Sequence, residues 1–472
     1  MSRTLITFTG ARVVDPASGR DEVTNVVVDD DRIAEVGGDE SRGLRIDADG
    51  LVCAPGLVDL HVHLREPGGE DAETIESGTR AAAAGGFTAV CPMANTDPVC
   101  DHAGVVEQVL RLARDAGHCD VVPSGAITRG LAGGELAELG SMAAVGVRCF
   151  SDDGHPVRSA QVMRRALAYA RTWDAIICNH AEEATLTGSA QMNEGEMSSR
   201  LGLAGWPHEA EEVMIARDLI LAEGMGARLH VPHVSTAGSV ALIRDAKARG
   251  VRVTAEATPH HFTLTDGRAA AYDPVDKVNP PLRTALDVAA VRAGLADGTI
   301  DAIATDHAPH ASEHKEQAWI HAPCGMLGLE TALAVTLTEL VDDTDASANG
   351  AASANDDASA NGAAAASGAD REPGTLTLSQ AIDRLSTGPA ASRGIVGHGG
   401  PIVEGAPANL VLFDPAATWR VDPARLQSRS RNTPFAGATL RGRVVHTLLR
   451  GRFTARDGVP TGDAALTAAR AT

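Results

Sequence analysis

Eight short apolar runs, at residues 56–64, 87–93, 120–127, 147–150, 175–180, 228–233, 251–257 and 300–305, alternate with Ala- and Leu-rich stretches of helical period along this 472-residue chain. Parallel strands buried on both faces read as near-continuous apolar runs, and each needs a crossover, usually helical, to reach the next. Eight such units predict an α/β chain closed into a (β/α)8 TIM-like barrel. A doubly wound sheet is the rival, but no Gly-rich phosphate loop opens its first helix. Shorter alternating runs at 4–9, 23–29 and 32–36, separated by Gly, Asp and Pro turn signals, return at 409–413 and 444–449. They predict a small β-sandwich domain built from both chain ends, residues 1–54 plus 398–455, beside a barrel of residues 55–397. Residues 342–372 break the pattern, being Ala, Ser, Asp, Asn and Gly almost throughout, with DASANGAA at 345–352 and again at 357–364. Such a stretch holds no core, and the expectation is a disordered, removable insert.

Chemistry gathers at the ends of the predicted barrel strands. Asp59-Leu60-His61-Val62-His63-Leu64-Arg65 closes the first run, and side chains two apart on a strand share a face, so His61, His63 and Arg65 project together. At the C-terminal mouth of a barrel, where active sites lie, two imidazoles held this way suit a divalent cation such as zinc. A lone H-x-H is weak, but further ligand types recur at later strand ends: Asp153 in Phe150-Ser151-Asp152-Asp153-Gly154, His180, His233, and Asp306 in Ala304-Thr305-Asp306-His307-Ala308-Pro309-His310. Four His and two Asp exceed one tetrahedral site and suit two metals sharing a carboxylate. His260 and His261 read as structural hydrogen-bonding groups rather than ligands, and His230, three before His233, as pointing away from the metals. His118, His398 and His446 are among those read as loop or helix-surface groups.

Composition narrows the partners and the compartment. Lys+Arg total 41 against 62 Asp+Glu, a net charge of −21, which disfavours nucleic acid and anionic membranes. Only Lys247, Lys277 and Lys315 are lysines and aromatics are 3%, a balance resembling salt-in halophile proteins more than those of a high-GC mesophile. Seven cysteines without C-x-x-C spacing read as free thiols in a reducing cytoplasm, and the first residues lack a secretory signal's pattern.

The D-x-H-x-H-x-R start, Met93-Ala94-Asn95-Thr96-Asp97-Pro98, the FSDDG strand end, Asn279-Pro280-Pro281-Leu282-Arg283 and ATDHAPH together resemble class I dihydroorotase of the amidohydrolase superfamily. The resemblance runs from about residue 3 to 455, interrupted by the insert. It implies reversible hydrolysis of (S)-dihydroorotate to N-carbamoyl-L-aspartate, a step of pyrimidine synthesis, by a hydroxide between two zinc ions. His61, His63 and Asp306 would hold the first zinc, His180 and His233 the second, with Asp153 bridging and Asp306 also the catalytic acid and base. Related hydantoinases bridge their metals with a carbamylated lysine, for which this chain, with Arg148 in that region, has no candidate. The resemblance further implies substrate binding by His63, Arg65, Asn95, Asn279, His310, Cys324 and Gly325, Arg65 presenting a planar fork to the substrate carboxylate. The bland reading of Arg65 is a salt bridge to Glu66 or Glu70. Aspartate transcarbamoylase as a partner and a homodimer are compatible with it. The alternatives are an allantoinase or hydantoinase, and a non-catalytic dihydroorotase-like scaffold, which would have lost metal ligands.

Overall fold

The structure, a computed structural model, describes residues 5–38, 42–342, 345 and 374–461. The 342–372 insert lies, apart from Asp342 and Asp345, outside the described residues.

The strand Leu5–Asp15 runs past the predicted stop because Gly10, at φ 75°, absorbs a register shift between Phe8 and Ala11. Its amide donates to Asn25 Oδ1 at 3.0 Å, so the bulge is paired rather than open. Beyond it the ladder with Arg20–Asp29 continues to Asp15 opposite Arg20. Leu44–Asp47 and Val52–Pro55 lie parallel to the two halves of Leu5–Asp15, so the sheet forks there. Leu410–Arg420 then pairs antiparallel with Val52–Pro55 and leads on to Thr439–Leu449 and Arg452–Arg456. Strands from both chain ends thus share one nine-stranded sheet. Ile6, Phe8, Val26, Val28, Leu410 and Leu448 are buried together as its core.

Between these ends the eight apolar runs form the parallel strands of a (β/α)8 barrel: Leu57–Val62, Phe87–Pro92, Asp120–Val121, Cys149–Ser151, Ile176–Cys178, Arg228–Val231, Val253–Ala257 and Ala302–Ile303. Parallel bridges from Gly125 to Phe150 and from Val62 to His307 close the ring where regular pairing lapses. The strands are shorter than the runs. In the third, the regular ladder lapses after Val121 because Pro92 on the neighbouring strand has no N–H to give the Val122 carbonyl, although Ser124 N still donates to Pro92 O at 2.9 Å. Crossover helices start where the sequence caps them. Thr74, Ser159, Thr236 and Thr284 each accept a hydrogen bond from a backbone N–H three residues on. Ala103–Ala116 buries Val105, Val106, Val109 and Ala113, a helical stripe against the barrel.

Three histidines depart from their surface reading. His118, His398 and His446 are buried, and His398 links Thr88 Oγ1 at 3.0 Å to Asp120 Oδ2 at 2.9 Å. Among the described residues no helix is long and apolar enough to cross a membrane.

Candidate active site

Asp59 sets the rim of the barrel mouth. Its carboxylate accepts the amide hydrogens of His61 and Thr305, each at 3.1 Å, tying the first strand to the end of the eighth. Just beyond their strands Arg65, His233 and Asp306 take positive φ of 60°, 34° and 47°. This left-handed backbone is uncommon outside glycine and asparagine, and here it turns each side chain out of the strand line.

Six side chains from five strand ends converge there, all buried: His61, His63, Asp153, His180, His233 and Asp306. His61 Nε2 lies 3.3 Å from Asp153 Oδ1 and 3.4 Å from Asp306 Oδ1. His63 Nε2 is 3.1 Å from Asp306 Oδ1 and 3.5 Å from Asp153 Oδ2. His180 Nδ1 and His233 Nε2 are 3.0 Å apart and lie 3.8 and 3.7 Å from Asp153 Oδ1. Asp153 therefore faces all four imidazoles, with one oxygen toward three of them and the other toward His63. Its neighbour Asp152 is occupied elsewhere, accepting the amides of Ile127 and Thr128 at 2.7 and 3.0 Å.

These atoms fit a metal better than they fit one another. Ligands about 2.0–2.1 Å from a tetrahedral zinc stand about 3.3 Å apart, which is the middle of the observed spacings. His61 Nε2 is buried and makes no hydrogen bond. His61, Asp153 and His233, and again His61, His63 and Asp306, form compact groups able to hold a cation. Burial raises the carboxyls of Asp153 and Asp306, but the surrounding imidazoles outweigh it and hold both well below the usual range.

The predicted substrate residues surround this cluster. Arg65 makes no ion pair with Glu66 or Glu70; its Nε donates to Pro309 O at 3.1 Å, while Glu66 and Glu70 accept backbone amides of Ile75 and Gly68. The bland reading of Arg65 therefore fails. Asn95 Oδ1 lies 3.0 Å from His63 Nδ1, and its Nδ2 donates to Asp153 Oδ2 at 3.4 Å. His310 Nε2 donates to Cys324 O at 2.7 Å, and burial together with Arg65 pushes this imidazole down to about 3, so it is neutral. Gly325 adopts φ 142°, and a Cβ there would stand 2.7 Å from His310 Nε2. Asn279 Nδ2 donates to Glu182 Oε2 at 3.2 Å, leaving its buried Oδ1 without a partner.

A family model described as "Dihydro-orotase-like" matches residues 50–239. A protein of Streptomyces coelicolor named dihydroorotase is 51% identical over 462 residues, covering 97% of this chain and 99% of its own. One of the same name from Mycobacterium tuberculosis is 47% identical, covering 93% and 96%. The chain belongs to the dihydroorotase family. Among solved structures an L-hydantoinase from Arthrobacter aurescens is similar in fold, with a TM-score of 0.81 at 25% identity and 97% of each chain covered.

Within this dihydroorotase family member no lysine reaches the His/Asp cluster. Lys247 pairs with Asp301, while Lys277 and Lys315 donate to backbone carbonyls of loops. Residues the sequence reading missed are Glu182, Glu256 and Asn432. Glu182 joins His180 Nε2, at 3.2 Å, to Asn279. Asn432 donates to the carbonyls of Ala308 and Gly325 at 3.0 and 3.1 Å and accepts from the His310 amide at 3.2 Å. His261 hydrogen-bonds Thr258 Oγ1 and Pro280 O, the structural role expected of it. His260 does not follow, since its buried Nε2 has no partner.

Proposed function

We propose that this chain is a dihydroorotase, hydrolysing the ring amide of (S)-dihydroorotate to N-carbamoyl-L-aspartate and running the same step in reverse for pyrimidine synthesis. The observation that carries the reading is the joint presence of six converging metal-type side chains and, beside them, an arginine that makes no ion pair among the described residues. The first is what opening an unreactive amide demands; the second is a binding site for the free carboxylate that distinguishes dihydroorotate from hydantoin and allantoin.

His61, His63 and Asp306, and His180 and His233, with Asp153 facing all four imidazoles, would hold two divalent cations, in this reading zinc, which would supply activation of water and polarisation of the amide carbonyl. The chain's own residues do the rest. Arg65 and Asn95 donate to the substrate carboxylate, with His310 beside them. A neutral His310 gives its one N–H to Cys324 O, so its part is to hold the Cys324-Gly325 segment in place beside that carboxylate. Asn279 Oδ1, left free by the pairing of its amide nitrogen with Glu182, accepts a ring N–H. Asp306 takes the proton of the attacking water and delivers it to the departing ring nitrogen, so that hydroxyl ends on carbon and hydrogen on nitrogen.

Further parts of the reading are a cytoplasmic setting, supported by seven free cysteines, and a small β unit of residues 1–54 and 398–455 beside a barrel of 55–397, supported by the β unit's own core around Phe8, Val28 and Leu410, while its Val14, Val52, Val411 and Phe413 pack into the core of the barrel. The assay compares dihydroorotate, hydantoin and allantoin as substrates in low and molar salt. Asp306→Asn is expected to lower kcat about 10³-fold. Arg65→Ala is expected to raise KM for dihydroorotate about 10- to 100-fold, the loss of a charge-assisted pair. Equal turnover of hydantoin by the unmutated protein would overturn the assignment.

A further inference from the structure

Beneath the metal cluster lies a buried polar chain that ligand spacing does not explain. Glu256, on the strand Val253–Ala257, is fully buried, and each of its carboxylate oxygens meets a different imidazole. Oε1 lies 2.8 Å from His61 Nδ1, and Oε2 lies 3.0 Å from His230 Nε2. His230 sits in register with Thr254 on the neighbouring strand and reaches Thr254 Oγ1 through Nδ1 at 2.8 Å. An ionised carboxylate only accepts, so both facing ring nitrogens must carry hydrogen. For His61 the consequence is decisive. With Nδ1–H given to Glu256, the lone pair of Nε2 is left free toward Asp153 and Asp306, where that atom makes no hydrogen bond. The opposite tautomer would place hydrogen where a cation has to bind and leave Nδ1 facing a carboxylate, acceptor against acceptor.

We infer that Glu256 is a positioning residue of the metal centre: it fixes the tautomer and ring orientation of His61, and His230 with Thr254 holds Glu256 in place. This inference rests on the metal-dependent reading of the site given above. Carboxylates behind metal-bound imidazoles raise ligand basicity as well as orienting the ring, and removing them weakens metal binding about 10- to 100-fold.

Two substitutions separate the carboxylate's charge from its role as acceptor. In Glu256→Gln the amide oxygen still accepts from His61 Nδ1–H, while the amide NH2 donates to His230 Nε2, whose ring then carries its hydrogen on Nδ1 and donates it to Thr254 Oγ1. The tautomer of His61 survives and only the charge is lost. In Glu256→Ala both imidazoles lose their partner. The test is zinc affinity of the full chain by competition with a chelator, alongside imidazole 15N shifts of the zinc-loaded protein. Affinity is expected to fall about 10-fold for Glu256→Gln and about 100-fold for Glu256→Ala. The unmutated protein and Glu256→Gln are expected to carry zinc on Nε2 of His61 and hydrogen on Nδ1. Affinities within twofold of the unmutated protein for both variants would overturn the proposal, and so would zinc on His61 Nδ1. If Glu256→Ala does not fold, the Gln variant and the labelled unmutated protein still decide. A protein that binds zinc with this dependence but leaves dihydroorotate intact would overturn the reaction assigned above and leave this role standing.

Discussion

Lys277 is one of only three lysines among 41 cationic residues, and its surroundings explain why arginine does not stand there. Its ammonium donates to Gln191 Oε1, Trp319 O and Ala322 O at 2.8, 2.7 and 2.9 Å. Three acceptors around one compact point suit a tetrahedral donor, whereas a planar guanidinium could not meet them from the same volume. The carbonyl of Ala322 belongs to the segment leading into Cys324 and Gly325, so Lys277 braces the loop expected to contact the substrate ring. Lys277→Met should cost about 2–3 kcal/mol, because two buried carbonyls lose their donor. KM for dihydroorotate should rise more than kcat falls; a thermal melt and steady-state kinetics check both, and an unchanged KM would confine Lys277 to stability. At this scale the convergence of His61, His63, Asp153, His180, His233 and Asp306 was legible because each stands at the end of an apolar run, where the barrel puts its chemistry. Glu182, Glu256 and Asn432 were not. Their roles depend on partners up to 195 residues away, as between His61 and Glu256, and no local period encodes such a pairing.

Elements are held to the site by long-range polar contacts of the same kind. The segment around Asn432 crosses the mouth after the barrel is complete, and it is anchored by Glu330, whose Oε1 accepts the amides of Gln427 and Ser428 at 2.8 and 3.1 Å. Burial, assisted by the nearby Glu73 charge, pushes the Glu330 carboxyl up to about 7 despite those two donors. The unfolded chain releases this proton near the ordinary 4.5, so between roughly 4.5 and 7 the folded state holds a proton that the unfolded state lacks. The Glu330 contribution to stability therefore falls as pH rises through that window and stays at its lower value above it. Glu330→Gln keeps an acceptor without the ionisation. It should raise stability by on the order of 1 kcal/mol at pH 8 and have little effect at pH 5. Urea unfolding at the two pH values measures it, and equal effects at both would refute the assignment of this proton. The eight strand runs were legible because apolar continuity marks a strand buried on both faces. Their ends were not, since the regular ladder lapses where Pro92 lacks an N–H or where a left-handed residue such as His233 turns the chain aside.

For the whole molecule the controlling quantity is the net charge of −21. The mouth of the barrel holds Arg65 and the converging histidines, so the excess of acid lies mainly elsewhere and acts as self-repulsion of the compact state. Opposing it are surface pairs such as Arg111 with Asp115 at 3.9 Å, Arg129 with Glu135 at 3.5 Å and Arg244 with Asp297 at 2.6 Å. Each exposed pair contributes about 0–1 kcal/mol and weakens in salt. Repulsion is summed over the whole surface, and salt relieves it as the Debye length contracts from about 10 Å at 0.1 M to about 3 Å at 1 M. Two opposite responses are therefore in competition, and the magnitudes favour the long-range term, since few of these pairs are well buried. Tm should rise by at least about 5 °C between 0.1 and 2 M KCl. Screening is nearly complete by 1 M, so most of the rise should come below that concentration; a gain that grows evenly to 2 M would mean exclusion of salt from apolar surface instead. A Tm that falls as salt is added would show that the ion pairs outweigh the repulsion, and the acidic, lysine-poor surface would then need a cause other than life in concentrated salt.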